Sequence, residues 1–297
     1  MNLGRIFLGD MRLYYQPDKI LILTGECIYH MIELIGMFCF PDTKGYTEEL
    51  MLISNFMQLS IIICTYNSAG RLEKTLDSIL SQNGEDFEVV IIDGASTDGT
   101  VEIIKDYESK FAGKLRWISE KDSGIYEAMN KGVKMAQGEY LNVIGAGDWL
   151  EEGALGKVFR AMADNLEADA IYAKTRIWDK DIKESKFFQT LPEILPTQPM
   201  QHPALYYKKE LHNRFGLYDE RYKIVADYLF CLKAFYFGKE RVKLIDDVTV
   251  NFVMDGVSSI CDKECEAENK RVRRELGIKS KIKIPNPVRF IKKRMGI

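Results

Sequence analysis

Four short apolar runs, each closed by a polar cluster, limit what this chain can fold into. Leu59 to Cys64, Phe87 to Ile92, Leu115 to Ser119 and Tyr140 to Ile144 are rich in β-branched and aromatic residues. Continuous runs of this length suit parallel strands buried on both faces. Segments with helical spacing lie between them: Leu72, Leu76, Ile79 and Leu80, then Val101 and Ile104, then Ile125 to Ala136. The last is opened by Asp122-Ser123-Gly124 and closed by Gly138. This alternation predicts βαβ units and an α/β domain.

Beyond Asp148 the pattern loosens. Ala154 to Ala163 reads as a helix, Ala170 to Trp178 as a strand and the proline-rich Leu191 to Pro203 as a loop. Val225 to Phe237 reads as an apolar helix, Val242 to Phe252 as a strand and Asp262 to Leu276 as a charged helix. Ahead of the domain, residues 1–57 hold apolar pieces (Ile6-Phe7-Leu8 and Ile20 to Leu23) without a clear period. They read as an N-terminal extension, either upstream of a true start at Met57 or packed as a small accessory segment. Residues 58–255 form the domain, in two parts at 58–150 and 151–255. Residues 256–297 supply a C-terminal helix and a basic tail.

Composition narrows the function classes. With 46% apolar and 29% charged residues the chain fits a globular protein. A net charge of −3 gives no electrostatic case for a nucleic-acid partner. The six cysteines, at 27, 39, 64, 231, 261 and 265, show no disulfide framework and point to a reducing, cytoplasmic setting. Cys261 and Cys265 have no second pair or nearby His, so a zinc site is not expected. No secretory signal is visible, and Ile20 to Phe40 carries Glu26, His30 and Glu33, which argues against a membrane span. The tail from Lys279 to Ile297 interleaves basic residues with Ile284, Val288, Phe290 and Ile291. It reads either as a solvated tail or as a peripheral contact with an anionic membrane face.

The acids fall where a ligand would be held. In an open α/β sheet, ligands bind outside the carboxyl ends of the strands. Thr65-Tyr66-Asn67, Asp93-Gly94, Asp122-Ser123-Gly124 and Asp148 each follow one of the four runs. One such Asp is usually a turn or cap residue, but four in succession converge on one crevice. The chain lacks GxGxxG after the first strand and lacks a GxxxxGK[ST] loop, which disfavours a dinucleotide or a P-loop nucleotide. An acid after the second strand could meet a ribose or base, and another could hold a divalent metal on a diphosphate.

These blocks resemble the glycosyltransferase family 2 enzymes, in a subgroup of colanic-acid and polysaccharide-biosynthesis type. The likeness runs through LSIIICTYN (59–67), FEVVIIDGASTDGT (87–100), ISEKDSGIYEAMNKGVKMAQGEYLNVIGAGDWL (118–150) and QHPALYYKKELHNRFGLYDERYKIVADYLF (201–230). It implies a GT-A-type fold with a mostly parallel mixed central sheet flanked by helices. It also implies a nucleoside-diphosphate sugar donor and a saccharide or lipid-linked acceptor in cell-surface polysaccharide synthesis. Carried over by position, Thr65, Tyr66 and Asn67 line the nucleotide pocket and Asp93 bonds the uracil or ribose. Asp122, Gly124 and Asn130 lie under the donor, and His202 lines the acceptor or diphosphate side. Asp148 matches the last acid of the metal motif, with Mn²⁺ or Mg²⁺ implied. Asp227 matches the catalytic base of an inverting displacement, although an Asp there also reads as a helix cap.

Two positions depart from the family pattern. The metal motif reads Gly145-Ala146-Gly147-Asp148 and keeps only its final acid. Met129 stands where many relatives carry Arg, leaving Lys131, Lys134, His202 or the metal to meet the diphosphate charge. Tyr206, Tyr207, Phe215, Tyr218 and Tyr222 read equally well as sugar-stacking or core residues. Two other classes stay open at this stage: a nucleotidyltransferase, and an inactive nucleotide-sugar-binding protein of the same fold.

Overall fold

The computed structural model describes the backbone of residues 4–8, 11–16 and 19–23, and describes fully residues 58–82, 86–179, 185–196, 198–254 and most of 262–278. It divides into two compact units, Met1–Phe56 and Met57–Ile297. The stretch 24–57 and the basic tail from Lys279 lie outside the described residues, as does Cys261.

In the first unit β1 (Gly4–Leu8), β2 (Met11–Gln16) and β3 (Lys19–Leu23) form an antiparallel meander. Gly4 pairs with Tyr15 and Gln16 with Lys19. The sequence reading finds no period here. The signal it passes over is the pair of turn-forming dipeptides, Gly9-Asp10 and Pro17-Asp18, spaced for two-residue hairpins.

The second unit is built on β4 (Leu59–Thr65), β5 (Phe87–Asp93), β6 (Leu115–Ser119) and β7 (Tyr140–Gly145). β4 pairs in parallel with both β5 and β7, and β5 with β6. Ile61, Ile62, Ile63, Val89, Val90 and Ile91 are fully buried, which is why these strands read as unbroken apolar runs. Helices α1 (Ala69–Leu80), α2 (Thr100–Lys110) and α3 (Ile125–Met135) connect them. Leu72, Thr75, Leu76 and Ile79 form the buried stripe of α1 at spacings of three and four.

The elements after β7 extend the same sheet. β8 (Trp149–Leu150), α4 (Ala154–Asp164), β9 (Ala170–Trp178) and β10 (Ser185–Phe188) come first. β11 (Leu205–Lys208), α5 (Leu211–Phe215), α6 (Ala226–Cys231), β12 (Val242–Val253) and α7 (Asp262–Glu275) follow. The strand order is β6-β5-β4-β7-β11-β9-β12-β8, with β10 beside β9. β11 runs antiparallel to both β7 and β9, and β12 runs parallel to β9. The carboxyl ends of β4, β5, β6, β7, β9 and β12 therefore share one edge. The short elements β8, β10, β11 and α5 escape the sequence reading because four residues or so carry too little period. Within the stretch read as one loop, Pro192–Ile194 and His202–Ala204 form short 3₁₀ turns.

The opposite edge is closed by a buried polar latch. Glu88 is 2% exposed and accepts from Ser60 Oγ (2.6 Å), Gln137 N (2.6 Å) and Arg116 Nη2 (2.6 Å). Arg116 Nη2 also donates to Met135 O, and Gly138 N donates to Ser60 Oγ at 2.8 Å. The latch ties β4, β5, β6 and the α3–β7 turn together, and its charge is tolerable because each oxygen is bonded. A Cβ on Gly138 would lie 2.6 Å from Ser60 N and 2.7 Å from Leu59 C, backbone atoms that cannot rotate away. Gly138→Ala is therefore expected to cost about 3 kcal/mol and to lower Tm by about 6–12 °C. Gly156→Ala, with no atom within 4 Å of the new methyl, should instead raise stability by about 0.5–1 kcal/mol. Thermal unfolding of both variants checks this.

Candidate active site

At the shared carboxyl edge, three loops are drawn together by main-chain and hydroxyl hydrogen bonds. Gly94 N donates to Thr65 O (2.9 Å) and Glu120 N to Asp93 O (3.0 Å). Asn67, at φ +46°, donates its N–H to Ser96 Oγ (2.8 Å) and accepts at Oδ1 from Thr97 N (3.0 Å). Asn tolerates this left-handed backbone better than most residues.

Asp93 is fully buried beneath these loops. Its carboxylate accepts from Ser96 N (2.9 Å), Ser96 Oγ and Ser119 Oγ (2.6 Å). In this conformation it ties these loops together, and the surface in front of it comes from its neighbours. Tyr66 is 65% exposed, and the buried Thr65 Oγ1 makes no hydrogen bond. A Cβ on Gly94 would lie 2.9 Å from Asp122 Oδ2 and 3.2 Å from the Tyr66 ring, so both close over that glycine. Asp122 accepts from Gly124 N at 3.0 Å, where Gly124 takes φ +151°. Burial raises the Asp122 carboxyl above its ordinary range; Gly124 N–H and Lys131 oppose this, while Glu127 and Asp93 add to it.

Asp148 sits further along the edge, 7% exposed. Its Oδ1 accepts from Val253 N at the end of β12 (3.0 Å), and a Cβ on Gly145 would lie 3.0 Å from its Oδ2. Thr75 Oγ1 donates to Asp148 O (2.6 Å) and accepts from Gly147 N (2.9 Å), so α1 fixes this turn. Among the described residues no group of three His, Cys, Asp or Glu side chains could by itself hold a metal ion. One carboxylate with diphosphate and water oxygens still fits a hard divalent cation.

The two lysines offered for the diphosphate differ in place: Lys131 stays beside Asp122, already engaged, and Lys134 does not. Lys131 bonds Glu120 (2.8 Å), Glu127 (3.0 Å) and Lys121 O (3.2 Å). Lys134 lies in the last turn of α3, near the opposite edge of the sheet.

Across the crevice, Asp227 lies in the first turn of α6, whose cap is Val225, so it is not the helix cap. α6 continues as a wider π turn, Leu232–Phe237, with Gly238 N bonded to Lys233 O (2.8 Å). Asp227 Oδ1 accepts from the Tyr126 hydroxyl at 2.8 Å. His202, 7% exposed, bonds Tyr218 Oη through Nε2 at 2.9 Å. Burial pushes its pKa down, against the Asp227 charge and the Val143 carbonyl.

A buried chain continues from there: Tyr218 Oη to Tyr207 Oη (2.6 Å), Tyr207 Oη to His212 Nε2 (3.0 Å) and His212 Nδ1 to Gly216 O (3.1 Å). The Gly216 carbonyl can only accept, so neutral His212 carries its proton on Nδ1. Tyr207 then donates to His212, Tyr218 to Tyr207, and His202 Nε2–H to Tyr218. Asn130, placed under the donor by the sequence reading, clamps this wall: Oδ1 accepts from Tyr218 N (2.9 Å), and Nδ2 donates to Tyr218 O (2.9 Å) and Glu220 Oε1 (2.8 Å). Tyr206, Tyr207, Tyr218 and Tyr222 are all buried, so they are core and not a sugar platform. The residues the sequence reading missed are Ser96, Ser119 and Tyr126. All three stand inside the quoted blocks, but nothing in a linear pattern names their partners.

A sequence model described as glycosyl transferase family 2 matches residues 60–235. The chain belongs to glycosyl transferase family 2. It is 34% identical over 177 residues to the PGL/p-HBAD biosynthesis glycosyltransferase of Mycobacterium bovis, covering 59% of this chain and 69% of that one. It is 28% identical over 199 residues to the poly(ribitol-phosphate) beta-N-acetylglucosaminyltransferase TarS of Staphylococcus aureus, covering 64% of this chain and 34% of TarS. The chain thus spans about a third of the length of TarS.

Among solved structures, S. aureus TarS 1-349 in complex with UDP-GlcNAc aligns with a TM-score of 0.61 at 21% identity, covering 81% of this chain and 73% of that one. The mannosyltransferase PcManGT from Pyrobaculum calidifontis, in complex with GDP-Man and Mn²⁺, aligns at 0.58 and 20% identity, covering 82% and 71%. The expected GT-A fold, a mixed and mostly parallel sheet flanked by helices, is therefore present. This family 2 chain is a glycosyltransferase, and the nucleotidyltransferase reading falls away. Among the described residues no helix is long and apolar enough to cross a membrane.

Two outcomes follow from the geometry. Gly94→Ala should weaken nucleotide binding on the order of tenfold or more, because the methyl displaces Tyr66 or Asp122, and calorimetric titration reads this directly. His212, held down to about 4 by burial, has a folded pKa below its ordinary 6.5. The unfolded chain therefore binds more protons in that window, and the stability His212 contributes is complete above pH 6.5 and lost as pH falls toward 4. The loss between pH 6.5 and 5 is about 2 kcal/mol. A His212→Asn variant should begin less stable and show a flatter decline over that range in thermal unfolding.

Proposed function

We propose that this family 2 glycosyltransferase moves a sugar, with inversion, from a UDP-linked donor to a saccharide or lipid-linked saccharide acceptor in cell-surface polysaccharide or glycolipid synthesis. One observation carries the reading. Thr65, Tyr66, Asn67, Asp93 and Asp122 gather on adjoining loops at the carboxyl edge, Asp148 lies along the same edge, and Asp227 stands in the first turn of α6. Residues 58–150 act as the donor half and 151–255 as the acceptor half. UDP-GlcNAc and GDP-Man in the structural relatives support a nucleoside-diphosphate donor.

Each residue has a stated part. Tyr66 covers the base, and Asp93 sets the pocket wall through Ser96 and Ser119. Gly124 and Asp122 lie under the donor, with Asn130 fixing Tyr218 behind them. Asp148 would hold a divalent cation, Mn²⁺ or Mg²⁺, which when bound neutralises charge on the diphosphate. His202 stays neutral and lines the far side. Asp227 takes the proton of the acceptor hydroxyl as that oxygen attacks the anomeric carbon, a contribution of roughly 10²–10⁴-fold. The enzyme works at the cytoplasmic side, with the basic tail as a peripheral membrane contact.

The test is titration of wild-type protein and Asp148→Ala with UDP, with and without Mn²⁺, followed by transfer assays on Asp227→Asn. Metal-assisted UDP binding that weakens in Asp148→Ala, with transfer lost in Asp227→Asn and UDP binding retained, is expected. Failure of UDP to bind while GDP or dTDP does would change the donor. Full transfer by Asp227→Asn would remove the base.

A further inference from the structure

We propose that Tyr126 is a positioning residue for Asp227: its phenol fixes the rotation of the carboxylate by holding Oδ1, and so reserves Oδ2 for the proton of the acceptor. The inference rests on Asp227 being the base, as proposed above. The bond joins residues 101 positions apart at 2.8 Å, one from α3 behind the donor loop and one from the first turn of α6 in the acceptor half.

The direction of this bond follows from its surroundings. Tyr126 is 5% exposed, and burial and the Asp227 charge keep the phenol protonated, so it donates and the carboxylate accepts. The backbone N–H groups of Ala226 and Asp227 act on the same phenol oxygen. The hydroxyl therefore sits at the start of the helix and donates to a side chain of its first turn. Its ring leans on Tyr218, with centroids 6.0 Å apart and planes tilted by 38°. A carboxylate on a single Cβ–Cγ bond otherwise turns freely, and proton abstraction needs one oxygen within hydrogen-bond reach of the hydroxyl. α3 starts directly after Asp122-Ser123-Gly124, so the same helix start that carries the donor loop orients the base.

The ionisable groups that sense Asp227 are Tyr126 on α3, His202 on its 3₁₀ turn, Tyr207 on β11, Tyr218 on the following loop and Cys231 on α6. Of these only His202 titrates on the acid side, and its contribution is shared by wild type and variant.

Tyr126→Phe keeps the ring and removes the donor. It should lower kcat on the order of 10- to 100-fold while leaving the UDP dissociation constant within about twofold and thermal stability unchanged. Wild-type kcat in Tyr126→Phe, alongside an inactive Asp227→Asn, would overturn the positioning role alone. Parallel loss of UDP binding and thermal stability in Tyr126→Phe would make the tyrosine a structural strut and overturn it as well. A fully active Asp227→Asn would overturn the base and, with it, this inference.

Discussion

Parallel pairing along β4 sets the height of everything at the ligand edge. Thr65 stands level with Asp93, Asp93 with Ser119, and Cys64 with Gly145. These strands are buried on both faces, so a slip of one residue would exchange the side chains each face receives and create voids and clashes; close packing of the core holds the register. The chemistry inherits that precision, because each polar loop begins where its strand ends. The hydroxyls of Ser96 and Ser119 meet one carboxylate only because their strands stop level with it.

The two edges of the sheet use polar groups differently. At the amino edge, Glu88 is bonded by Ser60, Arg116 and Gln137, and Gly138 lets two backbones approach closely. That edge is satisfied from within and serves stability. At the carboxyl edge, Tyr66 is exposed, Thr65 Oγ1 is unbonded, and glycines at 94 and 145 bring acids close to the main chain. An unbonded buried hydroxyl beside an exposed tyrosine at this edge supports the ligand site proposed above.

The fold of residues 58–150 was legible because its strands are buried on both faces and its helices carry a full apolar stripe. β6 and β9 run over the residues the sequence predicts, and β4, β5 and β7 extend one residue further. The meander at 4–23 and the elements β8, β10, β11 and α5 were not legible, since short pieces are held by neighbours and not by their own period. Among site residues, the acids after the strands could be picked out in advance. Their partners could not: Asn130 was placed under the donor, yet its amide clamps Tyr218, 88 residues away.

The sequence by itself determined the alternation of strands and helices, the order of the polar clusters, and hence the family. Those properties are local, written in hydrophobic period and in blocks of contiguous residues. Only the tertiary structure decided that Asp93 lies beneath its loop, that Asp148 is held by Val253, that Lys131 reaches Glu120, and that Tyr126 meets Asp227. Each depends on groups from separate elements brought within 3 Å. Such contacts are set by the register and packing of the whole sheet, and no local pattern records them.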